Sequence, residues 1–166
     1  MPEIATLDNG VRVVVFATPH LATAAVSVFV RSGSLHESAR HNGISHVIEH
    51  MAFKGTASRS ARRIAEEIEE VGGDLNASTG LDSTAYYARV LKGDDNVALT
   101  LLADILLNSS FSEDELEKER EVILQELAGA KDDPEDIAYE MPARLLAAMM
   151  IAVIVSRCFG NVSSTT

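Results

Sequence analysis

Apolar positions along the chain follow two periods, and the switches between them mark out the elements. Residues 7–11, Leu7-Asp8-Asn9-Gly10-Val11, set an Asn-Gly pair between two short apolar runs, the pattern of a tight hairpin. Residues 11–17 and 22–30 are rich in β-branched and aromatic side chains and predict strands, with Gly33 closing the second. Residues 74–79 and 83–91 predict two more short strands on either side of a turn at Gly80. Helical spacing takes over in four places. One helix is expected at about residues 43–53. A second, at 60–71, is stopped by Gly72-Gly73. A third covers 94–107, where Val97, Leu101 and Ile105 recur every four residues. Ser112 followed by Glu115 is a capping-box pattern and opens a fourth helix to about residue 128, with Leu116, Ile123 and Leu127 as its expected buried stripe. Strands first, then helices interleaved with a hairpin, predict an α+β fold: a mixed, largely antiparallel sheet covered by helices. No internal repeat is present.

Composition narrows the function. A chain of 166 residues with 46% apolar content can bury one sizeable core. A net charge of -11 argues against nucleic acid, because nothing basic is available to neutralise phosphates. The single cysteine, Cys158, excludes an internal disulfide and fits a reducing compartment. The first residues show no basic stretch followed by an apolar run, so neither a signal nor a transit peptide is expected, and a cytoplasmic setting is expected.

The end of the chain differs in character. All 25 acidic residues lie in residues 1–140, while residues 141–166 hold two arginines and no acid. Residues 145–155 are 11 apolar residues in succession. A bilayer span needs about 20, so no membrane span is expected. The division expected is a domain over 1–140 and an atypical apolar tail over 141–166. The sharp break points to a tail foreign to the domain, such as a shifted reading frame would produce; a buried helix is the alternative.

The candidate chemistry lies in the 43–53 helix. His46-Val47-Ile48-Glu49-His50 sets two histidines four apart, one turn from each other on one face. Zinc takes imidazole and carboxylate ligands tetrahedrally and keeps one position for water. Glu49 stands beside both histidines, near enough to act on that water. Ile44, Val47, Ile48 and Met51 form an apolar stripe, and the histidines leave the helix from roughly the opposite side, toward a cleft. Two histidines and a water leave zinc one ligand short. Glu119 and Glu126, seven residues apart on the fourth helix and so on one face, are the candidates.

Gly43-Ile44-Ser45-His46-Val47-Ile48-Glu49-His50-Met51-Ala52-Phe53-Lys54-Gly55-Thr56 resembles the zinc-site segment of the pitrilysin and mitochondrial processing peptidase family. Residues 119–126 resemble its second ligand segment, with 75 residues between His50 and Glu126. Residues 72–79 and 84–87 resemble its substrate-binding edge strand and the neighbouring strand. The resemblance implies one Zn2+ per chain, held by His46, His50 and Glu126. It implies Glu49 as general base, Glu119 as a second acid that orients a ligand, and Asn76 and Ala77 as groups that take an extended peptide. The implied activity is that of a zinc-dependent endopeptidase. The implied partners are a peptide substrate and a homologous C-terminal half or second subunit. A non-catalytic scaffold subunit, or an inactive truncated fragment that binds zinc, is the alternative.

Overall fold

The structure, a computed structural model, describes residues 1–134 and Ala138. Two compact units divide the chain, the first running from Met1 to Glu119 and the second beginning at Arg120.

The first unit opens on a hairpin, β1 (Glu3–Thr6) and β2 (Arg12–Val15), paired antiparallel from Glu3 opposite Val15 to Thr6 opposite Arg12. Its turn is the one expected. Gly10 sits at φ +86°, and Leu7 and Val11 close the loop through a 2.9 Å backbone bond. β2 ends at Val15, short of the 11–17 run. A three-stranded antiparallel sheet follows, in the order β3 (Thr23–Val30), β5 (Thr84–Leu91), β4 (Asp74–Thr79). β5 is central, and its alternate residues Thr84, Tyr86, Ala88 and Val90 are buried. Between β3 and the first helix the chain makes two short 3-10 turns, Ser34–His36 and Ala39–His41. Gly33 opens this stretch where a Cβ would lie 2.5 Å from the Gly80 carbonyl oxygen, so the β4–β5 turn can pack against it only without a side chain.

Helices α1 (Ile44–Ala52), α2 (Ala61–Glu70) and α3 (Asp95–Leu107) complete the first unit, together with the start of α4 (Glu113–Asp132). Ser60 caps α2 by accepting from the Arg63 N–H at 3.2 Å. On α3 the expected stripe is found: Leu101 and Ile105 are buried with Ala98 and Leu102, against Ala88 and Val90 of β5 and Ile64 and Ile68 of α2. That cluster is the core, and it is where burial of apolar area stabilises the unit most.

Two stripes differ from expectation. On α1, Met51 is buried but Ile44 and Ile48 remain 43% and 42% exposed. The covered face instead includes Ser45 and Ala52, seven residues apart and small enough to let the helix approach β4 closely. On α4, Leu116 and Leu127 are exposed, and the buried positions are Ile123 and the carboxylate-bearing Glu119. The capping box is present in its first half: Ser112 Oγ accepts from the Glu115 N–H at 3.4 Å, while the Glu115 carboxylate takes Lys118 at 2.6 Å. In the second unit α4 continues to Asp132, one turn beyond the expected end. The 145–155 run and the boundary at 140 lie outside the described residues. Among the described residues no helix is long and apolar enough to cross a membrane.

Candidate metal centre

Gly43 is the N-cap of α1, and the first turn is held from outside the helix. The Glu37 carboxylate accepts from the Gly43 N–H at 2.6 Å and the Ser45 N–H at 2.8 Å. These are donors that a helix cannot satisfy internally, and a negative charge there also complements the helix dipole. The two bonds hold the Glu37 carboxyl below the usual carboxylate range, the one from Ser45 more than the one from Gly43. A rigid first turn fixes the direction in which His46, three residues past Gly43, leaves the helix.

His46 and His50 come together as the four-residue spacing requires. Their Nε2 atoms are 3.2 Å apart, and the rings meet edge to face with centroids 4.6 Å apart. Nitrogens that close share either a proton or a cation. His50 Nδ1 lies 3.0 Å from Glu119 Oε2. An ionised carboxylate only accepts, so Nδ1 carries the hydrogen, and in the neutral form of the ring Nε2, on the side of His46, is the nitrogen left bare. The other oxygen, Glu119 Oε1, takes the Lys54 ammonium at 2.5 Å. Burial opposes ionisation of Glu119, which is 5% exposed, but the bonds from Lys54 and then His50 outweigh it and hold the carboxyl below its ordinary range.

The donor set fits zinc. Zn–N bonds of about 2.0–2.1 Å at tetrahedral angles separate two nitrogens by ~3.3 Å, close to the His46–His50 spacing. An imidazole whose far nitrogen donates to a carboxylate is the arrangement that fixes a ligand's tautomer.

Glu49 is half-buried on α1, and its charge acts on Tyr86 of β5: the phenol is pushed up by burial first and by Glu49 second. Asn76 and Ala77 lie on β4, at the end of the strand order, so one edge of β4 is unpaired by strands among the described residues. The Asn76 carboxamide accepts the Ala77 N–H at 2.8 Å. Thr79, further along β4, donates its hydroxyl to the Ser45 carbonyl at 3.4 Å and so ties this strand to the histidine helix. Glu126 is exposed on α4, seven residues past Glu119.

The model of the insulinase family, peptidase family M16, matches residues 12–152. The chain belongs to peptidase family M16. The resemblance read from the histidine segment is therefore borne out. Among the relatives of this M16 chain, an uncharacterized zinc protease of Rickettsia felis is 48% identical over 138 residues, covering 83% of this chain and 34% of that one. A probable mitochondrial-processing peptidase subunit beta of Arabidopsis thaliana is 44% identical, covering 83% of this chain and 26% of that one. The crystal structure of a protease from Helicobacter pylori superposes with a TM-score of 0.79 at 30% identity, over 84% of this chain and 34% of that one. The α+β architecture is thus that of an M16 protease. The chain spans between about a quarter and a third of the length of these curated relatives.

Three residues of the site went unassigned in the sequence. Glu37 is an acid six residues before the helix-opening Gly43, a spacing that signals nothing until the 3-10 turns fold it back. Tyr86 lies in a quoted motif, and only the β5 alternation could have turned it inward. Lys54 stands eight residues after His46, in the stretch that carries the resemblance, and charge balance with Glu119 was the one available clue.

Proposed function

We propose that this chain is the zinc-bearing part of a metalloendopeptidase that hydrolyses peptides bound in extended form. The observation that carries the reading is the pairing of His46 Nε2 with His50 Nε2 at 3.2 Å while Glu119 takes the far nitrogen of His50. His46 and His50 are two of the ligands and Glu126 the third. Glu126 is supported by helix arithmetic: seven residues are two turns, so it leaves α4 on the same face as Glu119. Bound there, zinc supplies a Lewis acid that polarises a peptide carbonyl and brings the pKa of a water to about 7. Glu49, between the histidines, takes the proton of the attacking water and passes it to the leaving amine. Glu119 holds His50 in the tautomer that leaves Nε2 bare. The peptide adds to the unpaired edge of β4 as a further strand, with Asn76 and Ala77 offering amide and backbone groups. A bacterial cytoplasmic setting fits the single cysteine.

A second reading takes up the share of its relatives that this chain matches, 34% and 26% of their lengths: these residues bind zinc but turn over little unless a homologous C-terminal half supplies the rest of the site. Cleavage of a fluorogenic peptide, with and without chelator, by the chain mixed with such a half tests the main reading. Glu49→Gln is expected to retain zinc and to lose hydrolysis, since the amide fills the same space and cannot accept the proton. Turnover by this variant at the wild-type rate would remove Glu49 from the role of base.

A further inference from the structure

Among the described residues, Lys54 reaches the site through Glu119 and has so far been given no task. Both oxygens of the Glu119 carboxylate are taken by groups four residues apart. Lys54 Nζ holds Oε1 and His50 Nδ1 holds Oε2. We propose that Lys54 is a positioning residue for the metal: acting through Glu119, it locks the tautomer and ring plane of His50. The inference rests on the metal reading of the site.

The argument is geometric. A carboxylate with one partner can rotate about its last bond and offer either oxygen, or swing away; one pinned at both oxygens can do neither. The far partner is itself anchored. The Lys54 N–H bonds to the Met51 carbonyl at 3.1 Å at the end of α1. Gly55, next in the chain, takes the Ser110 N–H at 3.0 Å and the Ser110 hydroxyl at 3.1 Å on its carbonyl. Thr56 donates its hydroxyl to the buried Asp104 of α3 at 2.8 Å. The backbone on both sides of Lys54 is thus fastened to the core, and the ammonium comes to Glu119 from a fixed origin. A surface ion pair has no such anchorage and contributes little. Glu119 is nearly enclosed and its lysine only partly exposed, so removal of Lys54 leaves a carboxylate that must find another partner.

The test measures zinc affinity by competition with a chromophoric chelator, and reads the His50 tautomer by long-range 1H–15N correlation in metal-free protein. Lys54→Met is expected to weaken zinc binding about 10-fold, the low end of the loss seen when a group supporting a ligand is removed. It is also expected to turn the Nδ1–H pattern of His50 into a mixture of tautomers. Lys54→Arg, which keeps the charge, is expected to recover most of both. In a Glu119→Gln background, Lys54→Met is expected to add no further loss, because the lysine acts through that carboxylate. Unchanged zinc affinity in folded Lys54→Met, or losses that simply add in the double variant, would overturn the proposal. A wild-type chain that takes up no zinc would defeat the metal reading instead, and the tautomer measurement, made without metal, would still decide whether Lys54 sets the state of His50.

Discussion

At the scale of single residues, two buried carboxylates on different helices have different tasks. Glu119 serves His50, and its loss reaches the metal only indirectly. Glu119→Gln is therefore expected to weaken zinc binding by about 10–100-fold, and Glu126→Gln by more, because a ligand outweighs the group that orients one. Competition titration of both variants checks this, and equal affinities would put the register of α4 in question. Asp104 has a structural task. It accepts from Arg59 at 2.7 Å, Thr56 at 2.8 Å and Asn108 at 2.8 Å. Burial works against its ionisation, but the bonds from Asn108, Thr56 and Arg59 prevail and bring its pKa from 3.8 down to about 2. A carboxyl depressed on folding contributes stability above its unfolded value, and that contribution disappears as pH falls from about 4 through 2, a change on the order of 2 kcal/mol. Asp104→Asn is expected to lower stability by about 2–3 kcal/mol at pH 7, where it removes the charged acceptor shared by Arg59, Thr56 and Asn108 and leaves Arg59 with Glu67 as its remaining carboxylate partner. Urea unfolding at pH 7 and pH 2.5 should show the gap between variant and wild type narrowing in acid.

At the scale of elements, the outcome depended on whether a signal was local. The Asn9-Gly10 turn, the Ser60 cap and the Leu101–Ile105 stripe were legible because neighbours in sequence dictate them. The histidine pair was legible for the same reason, since one helical turn sets its spacing. The faces of α1 and α4 were not. Periodicity names the apolar side of a helix, whereas burial depends on what packs there. Close approach of α1 to β4 selected Ser45 and Ala52 over Ile44 and Ile48, and on α4 a carboxylate held by Lys54 and His50 took a buried place that leucines were expected to fill. Glu37 went unread because its partners are backbone N–H groups six and eight residues away, brought to it by 3-10 turns. That contact predicts an effect on the whole of α1. Glu37→Ala is expected to lower the melting temperature and to weaken zinc binding, with Glu37→Gln losing less because its amide oxygen still accepts. The carboxyl is depressed, so its stabilisation is present above about pH 4.5 and fades in acid. Thermal melts and zinc titrations of the two variants check it, and an unaltered melt in Glu37→Ala would mean that α1 needs no external cap.

At the scale of the molecule, the chain carries the M16 histidine helix, its supporting carboxylate and an unpaired strand edge within about a third of its relatives' length. Peptide hydrolysis also needs donors aimed at the developing oxyanion, typically worth ~3–4 kcal/mol each. The isolated chain is therefore expected to be a poor peptidase whose rate rises when a homologous C-terminal half is added, and rapid cleavage by the chain alone as a monomer would show that no second half is required. Metal binding needs less: in the reading proposed above, the candidate ligands His46, His50 and Glu126 all belong to this chain. The most direct test of the account is the zinc content of the purified chain, measured by atomic emission beside that of His46→Ala and His50→Ala. About one zinc per wild-type chain and almost none in either variant is the predicted result; a wild-type chain without zinc, or variants that hold it as fully as wild type, would contradict the account.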